Sequence, residues 1–252
     1  MPIILVTNDD GYGSEGIHVL ANALARVGDV TIVAPTSESS AIGHALTLRR
    51  PLRLEQVGDR TYSVDGTPTD CVNVAIAQVF KRLPDLVVSG INKGWNLGDD
   101  VTYSGTVSGA LEGALLGVPA IAVSLRQTRG AYDFSYAADV AATLAEGMLA
   151  RPLPSRTFLN VNVPKGQPKG WRVTVQASRN HITSVAERHD PQERPYYWLE
   201  EGQTEWHPHE RSDYQTVRDG YVSITPLQPD LTAHSVLGAV EELFPAKELE
   251  TR

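Results

Sequence analysis

A single cysteine, Cys71, occurs in the chain, so no intrachain disulfide can staple it. The plain reading of that thiol is a buried structural one. No apolar run is long enough to cross a bilayer. The first residues pass straight into a strand pattern, without the basic and apolar regions of a secretory leader. Both absences lead to the expectation of a cytoplasmic protein with no membrane partner. Positive charge is in the minority. There are 22 Lys and Arg against 30 Asp and Glu, for a formal net charge of −8 and a pI of about 5.4. A nucleic-acid polymer requires a basic face and is not an expected partner. A small anion remains possible, because a local metal or helix terminus overrides the global field. The chain also lacks a Gly-Lys-Ser/Thr phosphate loop and a Gly-x-Ser-x-Gly nucleophile elbow. Its adjacent Asp pair is not spaced Asp-x-Asp, which disfavours an aspartyl-phosphate phosphatase.

What is present is an ordinary globular composition, 41% hydrophobic and 21% charged over 252 residues, enough for a sizeable core. Apolar runs at Ile3–Val6, Val30–Ala34, Leu86–Ser89 and Val118–Ser124 read as buried strands. Between and after them, Ile17–Arg26, Thr69–Phe80, Gly105–Leu116 and Tyr136–Leu149 read as helices. Strands alternating with helices predict an α/β fold, a Rossmann-like and mainly parallel sheet with helices on both faces. Ala45–Leu54 and Thr61–Val64 are expected to form a hairpin arm. Thr157–Val163, Trp171–Gln176 and Tyr221–Pro226 read as further strands, and His234–Leu243 as a closing helix. Residues 187–219 are polar but carry Tyr196, Tyr197, Trp198, Trp206 and Tyr214, the pattern of a surface arm or hairpin that meets another subunit. The expectation is one domain over 1–252, with its core at about 1–176 and an arm and exchange segment at about 177–252.

The first strand ends in Asn8-Asp9-Asp10-Gly11. Open α/β sheets bind ligands just past the carboxyl ends of their strands. Two adjacent carboxylates there repel each other, and a hard divalent cation is the obvious counter-charge. A single Asp would more simply be a turn residue or helix cap. The pair is what points to a site. Gly11, Gly13 and Gly16 have the G-x-G-x-x-G spacing, so a non-catalytic dinucleotide-binding protein is the alternative. Against it, Asp9 and Asp10 stand where a pyrophosphate would approach. The second strand also ends in Ala34-Pro35, without an acidic ribose ligand. The glycines then serve a tight turn and close helix packing.

A third loop follows the Leu86–Ser89 strand: Ser89-Gly90-Ile91-Asn92-Lys93-Gly94-Trp95-Asn96-Leu97-Gly98-Asp99-Asp100. Asn92 and Asn96 offer neutral carbonyl ligands and amide donors. Next, Ser104-Gly105-Thr106 opens a helix. Small hydroxyl residues at a helix N-terminus leave N–H groups and a dipole facing an anion, although a plain Ser cap has the same look. His207-Pro208-His209 lies in a polar stretch and reads as solvated surface.

Taken in order, these motifs resemble the SurE family, the stationary-phase survival protein nucleotidases. The resemblance runs through Val6–Gly11, Val33–Pro35 with Ser40-Ala41, Gly66–Val72, Val88–Asn92, Asn96–Val101, Tyr103–Val107, Leu159–Pro164 and Val222–Leu227. It implies a metal-dependent phosphomonoesterase acting on nucleoside monophosphates at the 5′ or 3′ position, in some members with polyphosphate trimming. One divalent cation per subunit, Mg²⁺ or Mn²⁺, is implied. Its ligands map onto Asp9, Asp10, Ser40 and Asn92, with Ser40 preferred to Ser39 because it directly precedes Ala41. Phosphate contacts map onto Asn96, Ser104, Gly105 and Thr106. Homodimers or homotetramers with exchanged C-terminal segments are implied as well. The expected chemistry is direct attack by metal-bound water, with Asp9 or Asp10 as the catalytic base.

Overall fold

A computed structural model describes residues 1–39, 41–126 and 132–243, apart from the side chains of 180–183 and 200–204. Nine strands form one sheet. In chain order they are β1 (Ile3–Thr7), β2 (Asp29–Pro35), β3 (Leu54–Gly58), β4 (Thr61–Val64), β5 (Leu86–Lys93), β6 (Ala120–Leu125), β7 (Phe158–Val163), β8 (Trp171–Val173) and, beyond the hairpin β9 (Arg179–His189) and β10 (Pro195–Trp206), β11 (Val222–Leu227). The spatial order is β3-β4-β2-β1-β5-β6-β7-β11-β8. Pairing is parallel from β4 through β7, and antiparallel for β3 on β4 and for β11 on β7. The α/β expectation is met.

Both faces of the sheet are buried, which is why its central strands read as continuous apolar runs. Ile4 and Val6 face α1 (Glu15–Leu24) and α4 (Ser135–Ala150) through Ile17, Leu20, Leu24 and Phe134. Leu5 points the opposite way, with Val87, Cys71 and Val107, toward α2 (Pro68–Val74) and α3 (Gly105–Leu115). Each such fully buried aliphatic contributes about 1.5–3 kcal/mol relative to exposure. Cys71 has no exposed surface, and burial pushes its thiol well above the ordinary range, in keeping with a structural role.

Helix α3 approaches the sheet on a glycine stripe. A Cβ on Gly109 would stand 2.8 Å from Ser89 Oγ and 2.9 Å from Thr7 Cγ2, and one on Gly105 2.7 Å from the Asp9 Cβ. The stripe brings the N-terminus of α3 down beside the carboxyl end of β1.

Two expectations need correction. The Ala45–Leu54 strand is absent: residues 45–53 are irregular, and the hairpin partner of β4 is Leu54–Gly58. Arg49-Arg50-Pro51 interrupts the run, and Leu46 and Leu48 point to solvent. The aromatic stretch 187–219 is not one arm. Its first part belongs to the hairpin β9–β10, which starts at Arg179, close to the expected arm boundary at about 177. Its last part folds as α5 (Asp213–Arg218), where Tyr214 stacks on Trp206 at the base of the hairpin at 4.1 Å. The closing helix falls where expected, as a 3₁₀ turn at His234–Val236 that runs into α6 (Leu237–Leu243), and it buries no residue. No helix among the described residues is long and apolar enough to cross a membrane.

Gly109→Ala tests the packing of α3. Helix propensity favours Ala by about 1 kcal/mol, and overpacking costs about 1–3 kcal/mol. Urea unfolding should show a net loss of up to about 2 kcal/mol; a gain of about 1 kcal/mol would mean that the close approach imposes no constraint.

Candidate active site

The chain runs from β1 outward to β2 and β4, then crosses back to β5 on the other side of β1. The boundary between β1 and β5 is therefore the switch point of the sheet, where open α/β folds leave a crevice at the carboxyl edge. Asp9 and Asp10 follow β1 there, and Asn92 lies near the end of β5.

The turn after β1 is locked by its own side chains. Asn8 donates Nδ2 to Ser14 Oγ at 2.7 Å and to the Gly11 carbonyl at 3.1 Å, and accepts from Gly11 N–H at 3.2 Å. Gly11 has φ +96°, which other residues adopt only with strain. A Cβ at Gly16 would meet the Ile91 carbonyl oxygen at 2.7 Å, whereas at Gly13 it would meet nothing. Gly11 thus has a conformational reason and Gly16 a packing reason unrelated to a pyrophosphate, which weakens the dinucleotide alternative.

The two carboxylates are held differently. Asp9 is 5% exposed and accepts from Thr106 Oγ1 at 2.5 Å. Burial raises its pKa, while hydrogen bonds from the Thr106 hydroxyl and from the backbone of Asp9 and Thr106 pull the other way. Asp9 therefore sits against the first turn of α3, whose dipole favours an anion. Asp10 is half-buried, and its Oδ2 is enclosed with no hydrogen-bond partner among the described residues. Burial first, and the Asp9 charge second, push it up to about 6, against the opposing pull of Lys93.

An enclosed carboxylate oxygen without a donor, beside a second carboxylate, is a donor set suited to a hard cation. Asn92 fits the same set. Its nitrogen donates to the Gly94 carbonyl at 3.0 Å, which leaves its oxygen as the ligand atom. Ser40 lies outside the described residues. Around it, Ser39 N–H donates to the Asp9 carbonyl at 2.8 Å, and Gly43 N–H to the Tyr103 carbonyl at 3.0 Å. His44 Nε2 and Glu112 Oε2 lie 2.7 Å apart, so the polar loop after β2 is tied to both β1 and α3.

The expected phosphate contacts divide. Ser104 caps α3, its Oγ accepting from Val107 N–H at 3.1 Å. Its own proton, and the N–H of Gly105 in the unpaired first turn, remain for an anion. The Thr106 hydroxyl is committed to Asp9 and orients that carboxylate. Asn96 anchors a buried network. It donates Nδ2 to Ser124 Oγ at 2.7 Å, its N–H reaches Asn162 Oδ1 at 2.9 Å, and its carbonyl receives Asn160 and Asn162. One amide proton of Asn96 stays available.

Sequence reasoning assigned no role to Lys93, the cation that lines a pocket of about 350 Å³ together with Asp10, Tyr12 and Glu38. Its signal was its place directly after Asn92. Asp213 was missed altogether. Fully buried, it accepts from the N–H groups of Gly98, Ala177 and Tyr214 and ties the third loop to the base of the hairpin. No group of three or more His, Cys, Asp or Glu suited to a metal occurs among the described residues, so a cation at the Asp pair would need further oxygen ligands, of which Asn92 Oδ1 is a candidate.

The family model for "Survival protein SurE" matches residues 4–183. A 5'-nucleotidase SurE of Syntrophotalea carbinolica is 50% identical over 231 residues, covering 91% of this chain and 92% of that protein. One from Pelobacter propionicus is 48% identical over 240 residues, covering 94% and 97%. The crystal structure of the SurE protein from Aquifex aeolicus superposes with a TM-score of 0.85 at 42% identity, covering 96% of this chain and 99% of that one.

A raised carboxyl binds protons more tightly folded than unfolded. The protonated form of Asp10 therefore stabilises the fold fully below about pH 4, and that contribution is lost as pH rises through about 6. In chelator, Asp10→Asn should raise the Tm at pH 8 by about 2–4 °C and flatten its decline between pH 5 and 8, measured by circular dichroism. A lower Tm would contradict the like-charge strain assigned to the pair.

Proposed function

The chain belongs to the SurE family, and from that premise we propose that it is a divalent-metal-dependent phosphomonoesterase that converts nucleoside monophosphates to nucleoside and phosphate. The observation that carries this is the enclosed, donor-free Oδ2 of Asp10 beside buried Asp9 at the switch point of the sheet. The curated name of the relatives, 5'-nucleotidase, supports the 5′ position.

Asp9, Asp10 and Asn92, with Ser40, would hold one Mg²⁺ or Mn²⁺, the metals that all-oxygen donors favour. Such a cation, when bound, neutralises phosphoryl charge and acidifies water. Thr106 and the first turn of α3 oppose the burial that raises the pKa of Asp9 and fix its orientation. Ser104 Oγ–H and the Gly105 N–H grip the phosphoryl oxygens, with the spare amide proton of Asn96 as a third donor. Lys93 offsets the anionic charge beside Asp10. Water is the proposed nucleophile, because both carboxylates are engaged as ligands. Asp10, less tightly held than Asp9, takes the proton.

The hairpin and α6 carry the proposal of self-association as dimer or tetramer. Tyr197, Trp198 and Leu199 are 60%, 56% and 77% exposed, and Leu243 71%. Apolar surface of that kind on projecting elements is covered in assemblies. A free buried thiol and a nucleotide substrate both go with a cytoplasmic setting.

Phosphate release from a panel of nucleotides and other phosphoesters, with Mg²⁺, Mn²⁺ or chelator, tests the reading. Nucleoside monophosphates should be hydrolysed only with metal, and Asp9→Asn should lower kcat by about 10²-fold or more with the circular dichroism spectrum unchanged. Full activity in that variant, or in excess chelator, would overturn it. Sedimentation velocity should give a dimer or tetramer for the wild type and a smaller species for Trp198→Glu; a wild-type monomer would refute the assembly.

A further inference from the structure

Beyond the phosphate centre, a second pocket of about 390 Å³ opens past the carboxyl ends of β6 and β7, lined by Arg126, Tyr132, Tyr136, Lys165 and Gln167 among others. It lies on the same edge of the sheet as Asp9 and Asp10, on the side away from β2. Lys93 joins the two sites. It lines the pocket that contains Asp10, and its ammonium stands 5.5 Å from the ring centroid of Tyr132. The volume suits a nucleoside and far exceeds the needs of a lone phosphate. Its chemistry is aromatic and polar together. Tyr132 stacks on Phe134 at 5.1 Å, the Arg126 guanidinium lies 4.6 Å from the Trp95 ring, and Trp95 Nε1 is fixed on the Val163 carbonyl at 2.7 Å. The Tyr132 hydroxyl is buried without a hydrogen-bond partner among the described residues. A buried hydroxyl of that kind is costly unless a ligand satisfies it. Asp133, also on the lining, disfavours a second phosphate and suits a sugar hydroxyl or an exocyclic amine.

We propose that this pocket binds the nucleoside moiety of the substrate, with the sugar passing Lys93 and the Tyr132 hydroxyl and the base held at the Arg126–Trp95 stack. The proposal rests on the nucleotidase reading and adds the residues that make the enzyme prefer nucleotides to other phosphomonoesters. The competing position for the base is against Tyr12, in the pocket on the β2 side of Asp10.

The test compares the hydrolysis of AMP with that of β-glycerophosphate, which has no base. Arg126 is exposed, so Arg126→Ala should fold normally. Loss of a base-stacking contact should lower the ratio of kcat/KM for AMP to that for β-glycerophosphate by about 5- to 100-fold, carried by KM. Tyr132→Ala should do the same, and Tyr132→Phe should restore the part due to the ring. An unchanged ratio in Arg126→Ala and Tyr132→Ala, or a fall seen only in Tyr12→Ala, overturns the proposal. Saturation-transfer NMR with adenosine, which carries no phosphate, separates this from the activity. Wild-type signals that vanish in Arg126→Ala support the pocket even if no ester is hydrolysed, and signals that persist in both pocket variants refute it.

Discussion

Two adjacent carboxylates buried at the end of one strand are the constraint around which the rest is built. Alone, such a pair opposes folding, since each charge loses water and faces a like charge. Asp9 is relieved from within the protein: the Thr106 hydroxyl and the first turn of α3 bind it. Asp10 is not relieved in this way. Its enclosed oxygen has no donor, and its pKa rises to about 6. That asymmetry gives Asp9 a fixed place and leaves Asp10 dependent on a counter-charge. The first turn of α3 is thus already in contact with a protein carboxylate, and in the proposed reading its remaining donors would take the substrate phosphate.

The fold supplies the parts from separate stretches of chain. Crossing from β4 back to β5 puts the β1 and β5 loops side by side. The glycine stripe of α3 lets the helix settle close enough for Thr106 to reach Asp9. Asn160 and Asn162 share one face of β7 and hold the Asn96 turn by its backbone, while Val161 and Val163 on the other face enter the core. Asp213 secures the following Gly98 turn to the base of the hairpin. The third loop is therefore braced by hydrogen bonds to residues 64 to 115 positions downstream.

Most of the sheet was legible in the sequence, because strands buried on both faces are continuous apolar runs separated by helical stretches, of which α1 is the most clearly amphipathic. Failures fell where exposure removes that signal. Residues 45–53 carry Leu46 and Leu48 in alternation yet leave both in solvent. The aromatic arm and its start near residue 177 are legible from composition, but its division into a hairpin and α5 is not, since a two-stranded ribbon has no buried face to impose a period. Asp9, Asp10 and Asn92 were legible by position after strands. What Thr106 does was not, because a Thr in a first helical turn signals an anion without saying whose. Lys93, Tyr132 and Asp213 make contacts distant in sequence, which local pattern does not carry.

The most direct test of this account is the number of protons released when Mn²⁺ binds, from calorimetry in buffers of different ionisation enthalpy. If Asp10 is the strained ligand, binding near pH 6 should release about half a proton, falling to none by pH 8, as the carboxyl is forced into its ionised form. Binding with no proton release anywhere between pH 5 and 8, or no Mn²⁺ binding at all, would contradict the central claim that the Asp9–Asp10 pair is completed by a cation.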